Sequence, residues 1–242
     1  MCGRYTLTRQ ERVAEELEAA LGDVVQSEWW KPRFNVAPTQ PAPVVTLHDG
    51  VRTVEMMRWG LVPFWAGPDG KKAPLMINAR KENLHAKAFF REALATRRCL
   101  VPANGFFEWL RPGQDKKKRS KSDKPQPVYH HPASGKLIAF AGLWARAKTD
   151  DGATQLSFTI ITGPPNDLVK PVHDRMPVVL DPAAYAAWLD PTIDGEHARE
   201  LLAIPPVGDW IGEPVSTVVN TAANDEPRCI EPVPAPSQAE RL

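Results

Sequence analysis

Cysteine stands second in this chain, within Met1-Cys2-Gly3-Arg4-Tyr5-Thr6. If the initiator methionine is removed, as a small neighbouring residue permits, the chain begins with an α-amine and a thiol on adjacent carbons. Those two groups can attack one aldehyde together: the amine forms a Schiff base and the sulfur closes onto it as a five-membered thiazolidine. An α-amine titrates near pH ~7.7–8.0 and an ordinary thiol near ~8.5, so both have reactive fractions at neutral pH. The amine can also serve as base for the thiol, the N-terminal-nucleophile arrangement. The competing reading is an early residue tucked into the core.

Three other stretches carry polar groups in settings suited to chemistry. In Met76-Ile-Asn-Ala-Arg80 an extended chain puts Asn78 and Arg80 on one side and Ile77 and Ala79 on the other. In Gly105-Phe-Phe-Glu-Trp109, Phe106 and Glu108 share a face. A carboxylate among aromatics would have a raised pKa through desolvation, which suits a general acid; a solvent-facing or salt-bridged Glu108 is the alternative. His173, in Val172-His-Asp-Arg-Met-Pro177, is able to titrate near neutrality.

These residues must be positioned by elements that the sequence marks out. Thr8 and Glu11 form a capping box, and Val13, Leu17 and Leu21 recur on one face, predicting a helix over 8–21 with Gly22 as its stop. Trp29 and Trp30 read as core plugs in a loop, with an interaction surface as the minority reading. Runs 43–48 and 51–58 flank Asp49-Gly50, a strong hairpin signal. A helix is expected over 84–97, with Arg97-Arg98 suiting its dipole. Strands are expected at Cys99–Pro102, with Cys99 an inert core thiol, and at 105–109, 127–131, 136–146 and 155–162. Residues 164–170 read as one helical turn. A short strand at 178–180 and a helix opened by Asp181-Pro182 follow. A helix near 194–203 and a strand at 215–219 close the fold.

The composition limits what such a chain does. At 242 residues, 43% hydrophobic and 24% charged, it has ample length for a sizeable core. A net charge of +1 means that nucleic-acid binding has to come from a local patch. Such a patch is offered by residues 111–124, a polar insert of seven basic and two acidic residues that reads as a mobile hairpin loop. No apolar run approaches the ~20 residues of a membrane helix. Cys2, Cys99 and Cys229 are too far apart for a disulfide framework or a zinc-ligand spacing, and neither metal nor cofactor is expected. Twenty-five prolines argue against long helices. The expectation is an α+β fold: one β-rich domain over 1–230, with a curved, barrel-like mixed sheet as core and a few flanking helices. A disordered tail is expected over 231–242.

Seven segments in order resemble one family. They are Met-Cys-Gly-Arg-Tyr at the start, Phe34-Asn-Val-Ala-Pro-Thr-Gln40, Trp59-Gly-Leu-Val-Pro-Phe-Trp65, Asn78-Ala-Arg80, Cys99-Leu-Val-Pro with Phe-Glu-Trp109, Phe140-Ala-Gly-Leu-Trp144 and Val172-His-Asp-Arg-Met-Pro177. Together they are similar to the SOS response-associated peptidase (SRAP) family, the abasic-site shields. The resemblance implies a protein that crosslinks itself to abasic sites in single-stranded DNA, through the ring-opened C1′ aldehyde. By that resemblance Cys2 supplies both nucleophiles, Asn78 holds the opened sugar, Glu108 positions the α-amine and exchanges protons, and His173 helps open the ring and later reverse the adduct. It further implies that Arg4, Arg80 and Arg175 grip phosphates with Thr162 and Trp109 nearby, and that Trp65 and Pro38 stack or wedge against bases beside the lesion. A monomer is expected, cytoplasmic and nucleoid-associated through DNA in a bacterium. Asn104, Gly163-Pro-Pro165 and Thr221-Ala-Ala-Asn224 depart from the family pattern. Two other readings use the same residues: a cysteine hydrolase with Cys2 and His173, including removal of its own Met1, and a single-strand binder that forms no bond.

Overall fold

The Asp49-Gly50 turn forms as its sequence predicts. Both residues have positive φ, 48° and 78°, the condition for a two-residue type I′ hairpin. Pro41–His48 runs antiparallel to Val51–Trp59 in register from His48↔Val51 to Pro41↔Arg58. The computed structural model describes residues 2–63, 75–110, 125–149, 152–203 and 208–234. Trp65 and the basic insert at 111–124 lie outside the described residues.

The strands in chain order are β1 (Tyr5–Leu7), β2 (Arg33–Val36), β3 (Pro41–His48), β4 (Val51–Trp59), β5 (Asn78–Arg80), β6 (Arg98–Ala103), β7 (Gly105–Leu110), β8 (Gln126–Pro132), β9 (Ile138–Lys148), β10 (Thr154–Gly163), β11 (Met176–Pro177), β12 (Val179–Leu180) and β13 (Trp210–Pro214). The α-helices are short: α1 (Val13–Glu16), α2 (Ala88–Thr96), α3 (Tyr185–Leu189) and α4 (Gly195–Leu201).

Five strands close on themselves. β4 pairs with β3, β3 with β6, β6 with β9 and β9 with β10, all antiparallel, and β10 returns to β4 in parallel. Closure leaves these strands no free edge. β5 and β11 extend from β10, and β12 from β9. A second, wholly antiparallel sheet runs β13-β8-β7-β1-β2. The α+β expectation of a barrel-like mixed core with few flanking helices holds.

Alternation along the barrel strands feeds two cores. Val45, Leu100, Ala141 and Ile161 face one cluster, which the helices cover with Val13, Leu94 and Trp188. Their neighbours Val44, Cys99, Phe140 and Ile160 face another, covered by Cys2 and Tyr5 from the start of the chain and Phe106 of β7. Gly142 in the Phe-Ala-Gly-Leu-Trp stretch is a packing requirement, since a Cβ there would lie 2.7 Å from Cys99 Sγ. Cys99 is fully buried, and burial pushes its thiol pKa up, as an inert core thiol requires. Trp30 packs against the first core, while Trp29 lies 4.8 Å from the Arg33 guanidinium.

Local expectations fail where a distant partner intervenes. Instead of one helix over 8–21 there is a 3-10 turn, Gln10–Arg12, then the single turn of α1. Thr8 makes no cap: its N–H and hydroxyl donate to Asn104 Oδ1 at 2.7 and 3.2 Å. Ala20 leaves the helical path because it bridges to Thr53, donating to Arg52 O and accepting from Val54 N–H. The helix expected from 84 begins at Ala88. The strand expected at 215–219 lies earlier, as β13, and Thr217–Asn220 is a 3-10 turn capped by Ser216. Asp181 caps its turn as predicted, accepting from Ala183 N–H at 2.8 Å. The start of the proposed tail is tied down, with Val233 N–H donating to Pro214 O at 2.9 Å.

Candidate active site

Cys2 enters β1 fully buried. Its thiol donates toward Arg4 O at 3.7 Å, and its carbonyl accepts from Asn78 Nδ2 at 2.8 Å. Burial, and then the Glu108 carboxylate, hold the thiol pKa well above its ordinary range. Asn78 is delivered by β5, which lies parallel to β10 with Asn78 opposite Ile160 and Arg80 opposite Thr162. Ala79 between them points into the first core, so Asn78 and Arg80 share the opposite face, as the alternation predicts. The Asn78 amide has its nitrogen committed to Cys2. Its oxygen is buried with no hydrogen-bond partner among the described residues, an acceptor left for a ligand.

Glu108 comes from β7, opposite Val128, and is 1% exposed. His173 sits in the turn before β11, its N–H bonded to Val169 O at 2.9 Å. Its Nε2 lies 4.0 Å from Glu108 Oε2. Its Nδ1 accepts from the Arg175 backbone N–H at 3.0 Å and also stands 3.0 Å from Asp174 Oδ1. Four residues expected from sequence thus converge through these contacts, with Cys2 reaching Asn78 by hydrogen bond and Glu108 by charge, and Glu108 reaching His173. Among the described residues no group of three metal-ligating side chains occurs.

The arginines differ from one another. The Arg80 side chain is exposed and has no hydrogen bond or ion pair among the described residues. Arg175 is engaged by the protein: Nη1 and Nη2 donate to the two oxygens of Glu82 at 2.8 and 2.9 Å, and Nη2 also donates to Thr162 O at 2.6 Å. Arg4 donates from Nη1 to Asn35 Oδ1 at 3.0 Å and Val219 O at 2.7 Å, beside the Trp109 ring. Trp109 Nε1 in turn donates to Asn220 Oδ1 at 2.6 Å. Thr162 is buried on β10, next to Arg80 and Pro177 in the ladder. Pro38 is half-buried in the turn between β2 and β3.

Residues 1–222 match the family described as SOS response associated peptidase (SRAP). This chain belongs to the SRAP family. Relatives of this SRAP chain include the abasic site processing protein YoqW of Bacillus subtilis, 36% identical over 96% of this chain and 99% of that one. The abasic site processing protein YedK of Escherichia coli is 30% identical over 96% and 100%. The abasic site processing protein HMCES of Xenopus tropicalis is 32% identical over 84% of this chain and 67% of its own length. Among solved structures, a Bacteroides thetaiotaomicron protein superposes with TM-score 0.81 at 23% identity, covering 96% of this chain and 100% of that one. A Bordetella bronchiseptica protein gives 0.70 at 26% identity, over 89% and 100%.

Where this SRAP chain departs from the family pattern, the side chains serve the scaffold. Asn104 holds the exit of β1 through Thr8 and Arg9. The stem of Lys81 packs over Gly163, where a Cβ would lie 3.3 Å from Lys81 Cδ. Residues that sequence reasoning missed are Asn35, Asp225 and Glu82. Buried Asn35 donates to the carbonyls of Val219, Thr221 and Asn224. Asp225 accepts from Phe34 and Asn35 N–H and pairs with Arg33. Their partners lie far along the chain, so no local pattern announces them. A polar residue within the strand-like Arg33-Phe-Asn-Val36 was the one available signal.

Proposed function

We propose that the protein captures abasic sites in single-stranded DNA by covalent bonding through Cys2 after Met1 is removed. The observation that carries this reading is the convergence on a buried Cys2 of Asn78, with a free acceptor oxygen, and of Glu108 with His173 beside it. The names of the relatives point to the same substrate class.

The chemistry follows from the groups present. His173 passes a proton to the sugar ring oxygen as the C1′–oxygen bond breaks and takes back the proton that the C1′ hydroxyl releases, exposing the C1′ aldehyde. Asn78 Oδ1 accepts a hydrogen bond from the opened sugar. The α-amine of Cys2 adds to the aldehyde carbon, and loss of one water leaves an imine. Glu108 exchanges the protons of that step. The sulfur then adds to the same carbon while the thiol proton passes to the imine nitrogen, closing a thiazolidine. An amine-first order suits a thiol that burial and a carboxylate keep protonated. The hydrolase reading requires a thiolate at neutral pH, which the same surroundings oppose. Arg80 is open to a phosphate, and the family resemblance assigns Arg4, Arg175, Thr162, Trp109 and Pro38 to the same DNA-facing surface. By the family resemblance Trp65, outside the described residues, is assigned to stack against a neighbouring base.

The test is a denaturing gel after incubation with single-stranded DNA carrying one abasic site, without borohydride, using protein whose N-terminal cysteine is verified by mass. A shifted band that Cys2→Ala abolishes is the expected outcome. Absence of the band with verified N-terminal cysteine overturns the proposal. Binding that persists unaltered in Cys2→Ala, with no shifted band for either protein, identifies a non-covalent binder instead.

A further inference from the structure

Glu82 follows Arg80 in the 3-10 turn Lys81–Asn83, and nothing in the proposed chemistry uses it. Yet it has a strong side-chain partner. Both its oxygens are taken by the Arg175 guanidinium at 2.8 and 2.9 Å, the planar fork-to-fork geometry that fixes direction as well as distance. Thr162 O gives that guanidinium a third anchor. The Arg175 side chain is only 13% exposed, and hydrogen bonding to it draws the Glu82 carboxyl below its usual range.

This clamp acts on the backbone two residues beyond His173. The Arg175 N–H donates to His173 Nδ1 at 3.0 Å. A neutral imidazole carries one proton, so with Nδ1 accepting, the proton sits on Nε2, the nitrogen 4.0 Å from Glu108 Oε2. The Asp174 carboxylate, 3.0 Å from the same Nδ1, works in the opposite sense, because it accepts only from Nδ1–H. Asp174 is 86% exposed and its pull is screened by water, whereas the Arg175 side chain is 13% exposed and held at three points, by the two oxygens of the half-exposed Glu82 and by the carbonyl of buried Thr162. Among the described residues, charged groups that stand against the ring include Glu108 from β7 and Asp174 and Arg175 from its own segment, with Glu82 acting through Arg175.

We propose that Glu82 is a positioning residue: by clamping Arg175 it selects the Nε2–H tautomer of His173, which presents a proton toward the Glu108–Cys2 side of the site. This rests on the reading of His173 as the proton carrier, but the tautomer can be measured without any reaction.

The experiment is a long-range proton–nitrogen spectrum of the whole protein labelled at its six histidines, with His173→Asn used to assign the ring. Wild type is expected to show the Nε2–H form as the major neutral species. Glu82→Ala should make Nδ1–H the major species, and Glu82→Gln, which keeps one acceptor oxygen, should fall between. The acid limb of the pH–rate profile for abasic-site crosslinking should move to higher pH in Glu82→Ala, as Asp174 gains hold of the ring. Should Glu82→Ala fold poorly, Arg175→Gln breaks the same clamp from the other side. A wild-type Nδ1–H tautomer, or an unchanged tautomer in a folded clamp variant, overturns the proposal. Loss of crosslinking in wild type with the tautomer shift intact would instead overturn the functional reading and leave the clamp standing.

Discussion

At the scale of single residues, the groups with reactive chemistry were readable because each sits in a short pattern that sets its direction. Asn78 shares a face with Arg80 by alternation, and Glu108 shares one with Phe106 while Phe107 and Trp109 face a separate cluster. His130 shows the limit. Its strand, 127–131, was expected, but nothing marked this histidine, one of a His-His pair, as the buried one. It is fully buried, stacked 5.2 Å from the Phe106 ring, with no hydrogen-bond partner for either ring nitrogen among the described residues. Burial, and then His131, push its pKa down to about 4 from an ordinary 6.5. Above pH 6.5 both folded and unfolded chains carry it neutral, and there is no cost. As pH falls through 6.5 the unfolded chain takes up the proton first, so stability is lost until about pH 4, where the folded state is protonated too. The span corresponds to roughly 3 kcal/mol. Urea denaturation at pH 7 and pH 4.5 should therefore differ much less for His130→Leu than for wild type; equal differences would refute the assignment.

At the scale of elements, hairpins were legible and helices were not. Asp49-Gly50 dictates its turn through backbone geometry alone. The capping box at Thr8 was overruled because Asn104, 96 residues away, offers the same donors a better-placed oxygen. Arg98, expected to complement a helix dipole, does so from the interior. It is 5% exposed and its guanidinium donates to the carbonyls of Leu94, Ala95, Trp188, Asp190 and Ile193. That single side chain ties the end of α2 to α3 and to the turn before α4. Arg98→Met should leave these carbonyls without their shared donor and cost about 3 kcal/mol in chemical denaturation. Arg98→Lys should recover little, because an ammonium cannot span five acceptors in the guanidinium plane. A stability loss below about 1 kcal/mol would show that water replaces the guanidinium.

At the scale of the whole molecule, the three arginines expected to grip phosphates differ in how the protein uses them. Arg4 is bound into the Asn35–Val219 network and Arg175 into Glu82, whereas Arg80 stands open. Arg80→Ala should weaken binding to single-stranded DNA while leaving unfolding unchanged. The slope of log K against log salt should fall by about 0.7, the value for one phosphate contact on a single strand. An unchanged slope would remove Arg80 from the interface. The two ends of the chain are also fastened together: Asp225 and the carbonyls at 219–224 take the polar groups of β2, and Arg4 joins the same network. The strand beside the start of the chain is therefore held by contacts across some 190 residues.

By itself the sequence determined the hairpin and the barrel-strand pattern, through backbone preference and alternation, and singled out Cys2, Asn78, Glu108 and His173, which the fold brings together. Family membership was equally legible, because seven motifs kept their order. Tertiary structure alone decided which of Arg4, Arg80 and Arg175 is left without a side-chain partner among the described residues, which groups stand against the His173 ring and where the helices stop. Each of those depends on a partner brought from far along the chain, where buried polar groups must find one another once water is excluded.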